Sequence, residues 1–266
     1  MLLDRRPLQR WLEDPGWRGK VGFIGTPVGF SSTPGDFLSI APEGIAICHT
    51  FPYMKNFEVR AKNLSEAVKK LEECADALAE IGSNIIAQIG TPFSFASEGG
   101  LNFTQKLHAE LERKTKTTVV MQGLSVINAI KAQGYKSVAV ACTYYDDELT
   151  AKYTDFLEQA GINVLAMQNW TTQGLFSSQR NLEELSSRYP MSYTYQAAKL
   201  VAQEAPGAEC IVVSGGGVRT ADLVEPLEYD LQKPVIASNE ALFWDIFNNL
   251  GIHEPIRGRG SLLATL

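Results

Sequence analysis

The chain contains no CxxC pair, no HxxxH or HExxH spacing, no GxGxxG or GxxxxGK fingerprint and no long apolar run. Each absence removes a class of function. Without clustered ligands, the three histidines (His49, His108, His253) and four cysteines (Cys48, Cys74, Cys142, Cys210) give no spacing for a metal site, so none is expected. Missing glycine fingerprints leave no dinucleotide or P-loop cradle, and no organic cofactor is expected. A membrane span needs roughly 20 consecutive apolar residues, and nothing here approaches that. The opening "MLLDRRPLQRWLEDPGW" is charged throughout and lacks a signal peptide's apolar core, which predicts a cytoplasmic protein. There the cysteines stay free thiols. Positive charge is scarce too: 24 Lys and Arg against 30 Asp and Glu leave a net −6 without a basic cluster, excluding a nucleic-acid surface or an anionic membrane as partner.

What is present is an ordinary globular composition, 266 residues with 45% hydrophobic and 20% charged content, enough for one large domain or two modest lobes. Short β-branched runs alternate with helical patterns, predicting an α/β fold with largely parallel sheets. The strands are "KVGFIG", "GIAICHT", "NIIAQIG", "TTVVMQ", "SVAVACT", "INVLAMQ", "ECIVVSG" and "PVIAS". Leu64, Val68, Leu71, Ala75 and Leu78 form one apolar helix face, and Leu124, Ile127 and Ile130 repeat the spacing. Further helices fit residues 101–114, 146–160, 191–204, 220–230 and 240–249, the last ended by Gly251.

The pattern splits near Gln122 and Gly123 into two pseudo-symmetric lobes, each a four-stranded, mostly parallel sheet flanked by helices. Residues 1–122 with 240–266 make the first, and 123–239 the second. In each, strands run into loops of Gly, Thr, Ser or Pro: "GFIGTPVGF", with Thr26 and Pro27, and "AQIGTPFSF", with Gly90, Thr91, Pro92 and Ser94, in one; "VACTYYDD" and "VVSGGGVRT" in the other. Ligands of open parallel sheets sit beyond the strands' carboxyl ends, so the four loops should face one interlobe cleft.

Gly215, Gly216 and Gly217 precede a helix, so their NH groups either grip an anion or make a tight turn. Thr91 either donates its hydroxyl to that anion or caps a turn. Tyr144 either reaches the cleft with its phenol or packs as wall. Asp146 and Asp147 fit an acidic first helical turn and are structural. Cys74 and Cys210 read as core residues. His49, at a strand end, is the one histidine placed to titrate in the cleft, against an equal structural reading. Arg219 either pairs a second carboxylate or is solvated.

In order and spacing, "GTPFSF", "VAVACTYYDDELTAKYTDFLEQAGI", "IVVSGGG" and "PVIASNEALFWDIFNNLG" resemble the aspartate/glutamate racemase superfamily, in its arylmalonate decarboxylase and maleate isomerase branch. The resemblance implies two α/β lobes, an active site between them, and two facing cysteines working without metal or organic cofactor. Here those positions correspond to Gly90 and Ser214. Thr91, Tyr144 and the backbone NH groups of Ser214 and Gly215 match the decarboxylase's dioxyanion hole, with Pro92 replacing a Ser. The implied function is a cofactor-independent lyase, most simply a decarboxylase, acting on a small carboxylic acid, as monomer or homo-oligomer. An enediolate would be held by Thr91, Tyr144, Ser214 and Gly215, with Gly90, Pro92, Ser94, Gly216, Thr26, Pro27 and Asn239 around the substrate. Proton-donor candidates are Ser214 through a water, His49, Tyr53, Cys142 and Glu240 beside Asn239. Alternatives are an isomerase or hydratase of an unsaturated acid, and a non-catalytic carboxylate-binding protein.

Overall fold

The computed structural model describes residues 14–27, 31–183, 185 and 189–266. Most of the charged opening segment (residues 1–13) and residues 28–30 of the first glycine loop lie outside that set. Two four-stranded parallel sheets form the frame. The first holds β1 (Gly19–Ile24), β2 (Ile45–Thr50), β3 (Ile85–Gln88) and β4 (Thr118–Met121) in the order β2-β1-β3-β4. The second repeats it with β5 (Ser137–Ala141), β6 (Asn163–Gln168), β7 (Cys210–Val213) and β8 (Val235–Ala237), ordered β6-β5-β7-β8. Inner strands covered on both faces need apolar residues almost throughout, hence the runs "IIA", closed by the buried Gln88, and "CIVV". Edge strands β2 and β6 carry the exposed positions instead.

Ten helices among the described residues cover the sheets: α1 (Thr33–Ile40), α2 (Ala61–Val68), α3 (Leu71–Glu80), α4 (Gly100–Thr115), α5 (Gln122–Ala132), α6 (Asp147–Gln159), α7 (Gln179–Glu183), α8 (Met191–Glu204), α9 (Val224–Leu231) and α10 (Ser238–Asn249). Gly251, at φ +70°, follows α10 in the left-handed conformation that glycine adopts without penalty. The structure revises three expectations. The Leu64–Leu78 stripe is shared by two helices with a break at Lys69 and Lys70, although its five apolar side chains are all buried. The helix expected from residue 220 begins at Val224, since Thr220 spends its hydroxyl on Glu240 while residues 220–223 turn. The helix expected from residue 240 begins at Ser238, straight out of β8. In addition, α1, with Pro34 in its first turn, carries too little periodicity to be read from sequence.

One face of the first sheet packs on α1 and α10, where Phe37 stacks on Phe247 at 5.0 Å and meets Phe23 and Phe243 at 5.4 and 5.5 Å. The other face packs on α2, α3 and α4, and its core is continuous with that of the second sheet. Phe95, closing the "GTPFSF" loop, stacks on Tyr153 of α6 at 4.7 Å, so this loop is anchored in the opposite half. Each such aromatic contact is worth about 0.5–1.5 kcal/mol beyond area burial. Helices α5 and α10, each leaving the fourth strand of its sheet, pack together, and Ser125 and Asn128 of α5 donate to Asp245 of α10 at 2.8 and 3.2 Å.

Candidate active site

The third strand of each sheet ends in the same way. The Ile89 NH donates to the Ile24 carbonyl (2.8 Å), and the Ser214 NH donates to the Ala141 carbonyl (2.9 Å). The next residue in each case is a glycine with positive φ, Gly90 at +106° and Gly215 at +141°, conformations that resist a Cβ. At Gly90 a Cβ would also lie 2.9 Å from the Phe93 ring. The Gly90 NH donates to Gln122 Oε1 at 2.6 Å, and its carbonyl accepts from Gln88 Nε2 at 3.1 Å. The Gly215 NH points at Ser238 Oγ, 3.4 Å away. Thr91–Ser94 then form a single 3₁₀ turn with Pro92 near its start.

These turns bring the loops of the two sheets into contact. A Cβ on Gly216 would sit 3.4 Å from both the N and the Cα of Gly90, in van der Waals contact, so the two loop backbones pack directly against each other. The junction borders a cleft of mixed lining. Thr26, Ser31, Tyr144 and the backbones of Gly90, Gly216 and Gly217 supply its polar groups, and Phe57, Val59, Leu64, Pro92, Phe93 and Tyr189 its apolar surface. The Tyr144 hydroxyl accepts the Gly217 NH at 3.2 Å, while its ring stacks on Tyr189 at 4.4 Å with a 9° tilt. Burial pushes the Tyr144 phenol well above the usual range, so it stays protonated and keeps a proton to donate.

Of the residues singled out in the sequence, Thr26, Gly90, Pro92, Tyr144 and Gly216 face the cleft. Pro27 is half-buried beside Thr26. Thr91, Ser94, Ser214 and Gly215 are fully covered by the loops. Among the described residues the buried hydroxyls of Thr91 and Ser94 have no hydrogen-bond partner, whereas that of Ser214 is 3.1 Å from the Tyr145 hydroxyl. Asn239 is buried, with its Nδ2 donating to the Val218 carbonyl at 3.1 Å.

The remaining proton-donor candidates are elsewhere. His49 is exposed at the end of β2 with its ring over Gly25, and partial desolvation lowers its pKa. Tyr53 is 66% exposed. Cys142 is sealed in the core, where burial raises its thiol pKa. Glu240 is also sealed and accepts from Thr220 Oγ1 at 2.7 Å; desolvation raises its pKa to about 7. Arg219 pairs with Asp36 at 3.2 Å. Among the described residues no three His, Cys, Asp or Glu side chains gather as metal ligands would, and no helix is long and apolar enough to cross a membrane. Sequence reasoning missed Gln122, whose only signal was a polar residue directly between a buried strand and a helix.

With this geometry in place, a family model, arylmalonate decarboxylase, matches residues 53–263. The chain belongs to the arylmalonate decarboxylase family. Arylmalonate decarboxylase of Bordetella bronchiseptica is 24% identical over 187 residues, 70% of this chain and 73% of that protein. A crystal structure of arylmalonate decarboxylase superposes with a TM-score of 0.75 at 21% identity, covering 92% of this chain and 98% of the other. Maleate isomerase Iso from Pseudomonas putida S16 gives a TM-score of 0.77 at 19% identity, and the maleate cis-trans isomerase of Nocardia farcinica 0.77 at 17%, each covering 92% of this chain and 98% of its own. The arylmalonate decarboxylase fold is therefore shared with isomerases.

Proposed function

We propose that the protein is a cofactor-independent lyase, most simply a decarboxylase, acting on a small malonate-like acid with an apolar substituent. The observation that supports it most is the meeting of the Gly90 and Gly216 backbones beside a cleft lined by both polar groups and apolar side chains. One carboxylate of the substrate lies toward Thr26, Ser31 and Gly216, within reach of the Tyr144 hydroxyl. The other lies toward Phe57, Val59, Leu64 and Phe93, where it loses its hydration. Breaking the bond between Cα and that carboxylate releases CO2 and leaves the electron pair in an enediolate on the carboxylate that remains. Fixed donors in a water-poor site stabilise that developing charge, and one such donor is worth roughly 100- to 1000-fold in rate.

The Cα then takes a proton. Ser214, hydrogen-bonded to Tyr145 and covered by the glycine loop, is our assignment for the donor, its proton relayed to the cleft by a water admitted when that loop shifts on substrate binding. Thr91, whose buried hydroxyl has no partner among the described residues, is our assignment for a second donor to the enediolate. The decisive experiment incubates the protein with aryl- and alkylmalonates and with unsaturated diacids, following CO2 release and products by NMR. Turnover of a malonate supports the lyase; conversion of maleate to fumarate would favour an isomerase. An acid that raises the melting temperature and is recovered unchanged would leave a carboxylate-binding protein.

A further inference from the structure

Two buried carboxamides take no part in the chemistry above yet join its two halves. Gln122 is the first residue of α5, entered directly from β4, and Asn239 is the second residue of α10, entered directly from β8. Both are sealed, at 0% and 2% exposure. Gln122 Oε1 accepts the Gly90 NH at 2.6 Å, Gln122 Nε2 donates to Asn239 Oδ1 at 2.8 Å, and Asn239 Nδ2 donates to the Val218 carbonyl at 3.1 Å. Thr33 Oγ1 lies 3.4 Å from both the Gly216 carbonyl and Asn239 Oδ1. An unbroken chain of hydrogen bonds thus runs from the loop of the first sheet to the loop of the second.

The middle of that chain is also where the backbones meet. A Cβ on Gly216 would lie 3.0 Å from Gln122 Oε1, so the loop of the second sheet rests on the carboxamide that holds Gly90. A carboxamide suits the place because it accepts and donates at once, and either half left unpaired in this dry interior is costly. The Gly90 NH, committed to Gln122, is not a substrate donor; Gln122 acts through it.

We propose that Gln122 and Asn239 are positioning residues, a carboxamide clamp that fixes the spacing between the Gly90 loop and the Gly216–Val218 loop and so the width of the acid-binding cleft. The catalytic consequence rests on the decarboxylase reading; the clamp does not.

The test uses Gln122→Met and Asn239→Leu in the full chain. Amide exchange and glycine resonances are read by NMR, and kcat and KM are measured on whichever malonate the wild type turns over. In Gln122→Met, exchange at the Gly90 amide rises about 100-fold and the Gly216 and Gly217 resonances shift, while the slowest helix amides keep their protection. In Asn239→Leu the Gly216 and Gly217 resonances shift while the Gly90 amide stays protected. Displaced loops lower kcat by about 10- to 100-fold with little change in KM, and the double variant is no worse than the poorer single one. Unmoved Gly216 and Gly217 resonances in both variants, or additive kcat losses, overturn the clamp. Should one variant not fold, the other reads the same loops. A wild type that turns over no acid sinks the decarboxylase reading alone, since the amide data still decide the clamp.

Discussion

Glu240 lies behind the glycine loop with Oε2 accepting from Thr220 and Oε1 without a partner among the described residues. Burial is the main cause that raises its pKa from 4.5 to about 7, with the nearby Asp36 adding to it and Arg259 opposing it. A carboxyl whose pKa is higher folded than unfolded binds more protons when folded. It therefore contributes stability in full below pH 4.5 and loses it as pH rises through about 7. At 1.36 kcal/mol per unit the contribution is about 3 kcal/mol. Urea unfolding across pH 4 to 8 is expected to show the wild type losing that much relative to Glu240→Gln, within this window. Parallel curves would mean that Glu240 does not titrate there. Tyr144→Phe tests the site itself: turnover should fall roughly 100- to 1000-fold, while the melting temperature changes little, because the stack on Tyr189 survives and only a bond of about 1 kcal/mol is lost. Gly90→Ala should cost about 1–3 kcal/mol through backbone strain alone, with more from the Phe93 ring.

At the scale of elements, Asp146 does two jobs at the start of α6. Its Oδ1 accepts the Leu149 NH at 2.9 Å as an N-cap, and its Oδ2 pairs with Arg60 at 2.9 Å, where α2 begins. Asp146→Ala should lower unfolding free energy by about 1–2 kcal/mol, and Asp146→Asn by less, because Asn still caps. The eight strands were legible in the sequence to within one or two residues, because buried parallel strands are continuous β-branched runs that nothing else in the chain imitates. Helix starts were less legible. Glycine and threonine in "GGGVRT" look like a cap for residue 220, but a distant partner, Glu240, takes the Thr220 hydroxyl and delays α9 to Val224. The loops of the site could be read for the same reason as the strands they end. Depth could not: nothing along the chain tells that Gly216 faces the cleft while Ser214, two residues earlier, is sealed against Tyr145. Gln122 was invisible because its meaning depends on Gly90 and Asn239, residues far away in sequence.

At the scale of the molecule, the thiols make a simple test of the cysteine-free reading. Cys48 is exposed on edge strand β2, whereas Cys74, Cys142 and Cys210 are buried, and burial raises the Cys210 pKa to about 12. Iodoacetamide should add one equivalent to the native protein, at Cys48, and four in denaturant by mass spectrometry. Any malonate turnover should survive the single addition. Inactivation in step with it would place a thiol in the chemistry.

The packing of α10 on the first sheet bears on how the chain reaches this state. Leu242, Phe243, Ile246 and Phe247, with Leu263 and Leu266, cover the face formed by Val21, Phe23, Phe37 and Val120. On the ribosome β1 to β4 emerge long before the residues that cover them, so that oily face must wait through the synthesis of the entire second sheet. A nascent chain stalled ahead of Ser238 would present it to chaperones, and truncations there should bind them even though all eight strands have been made.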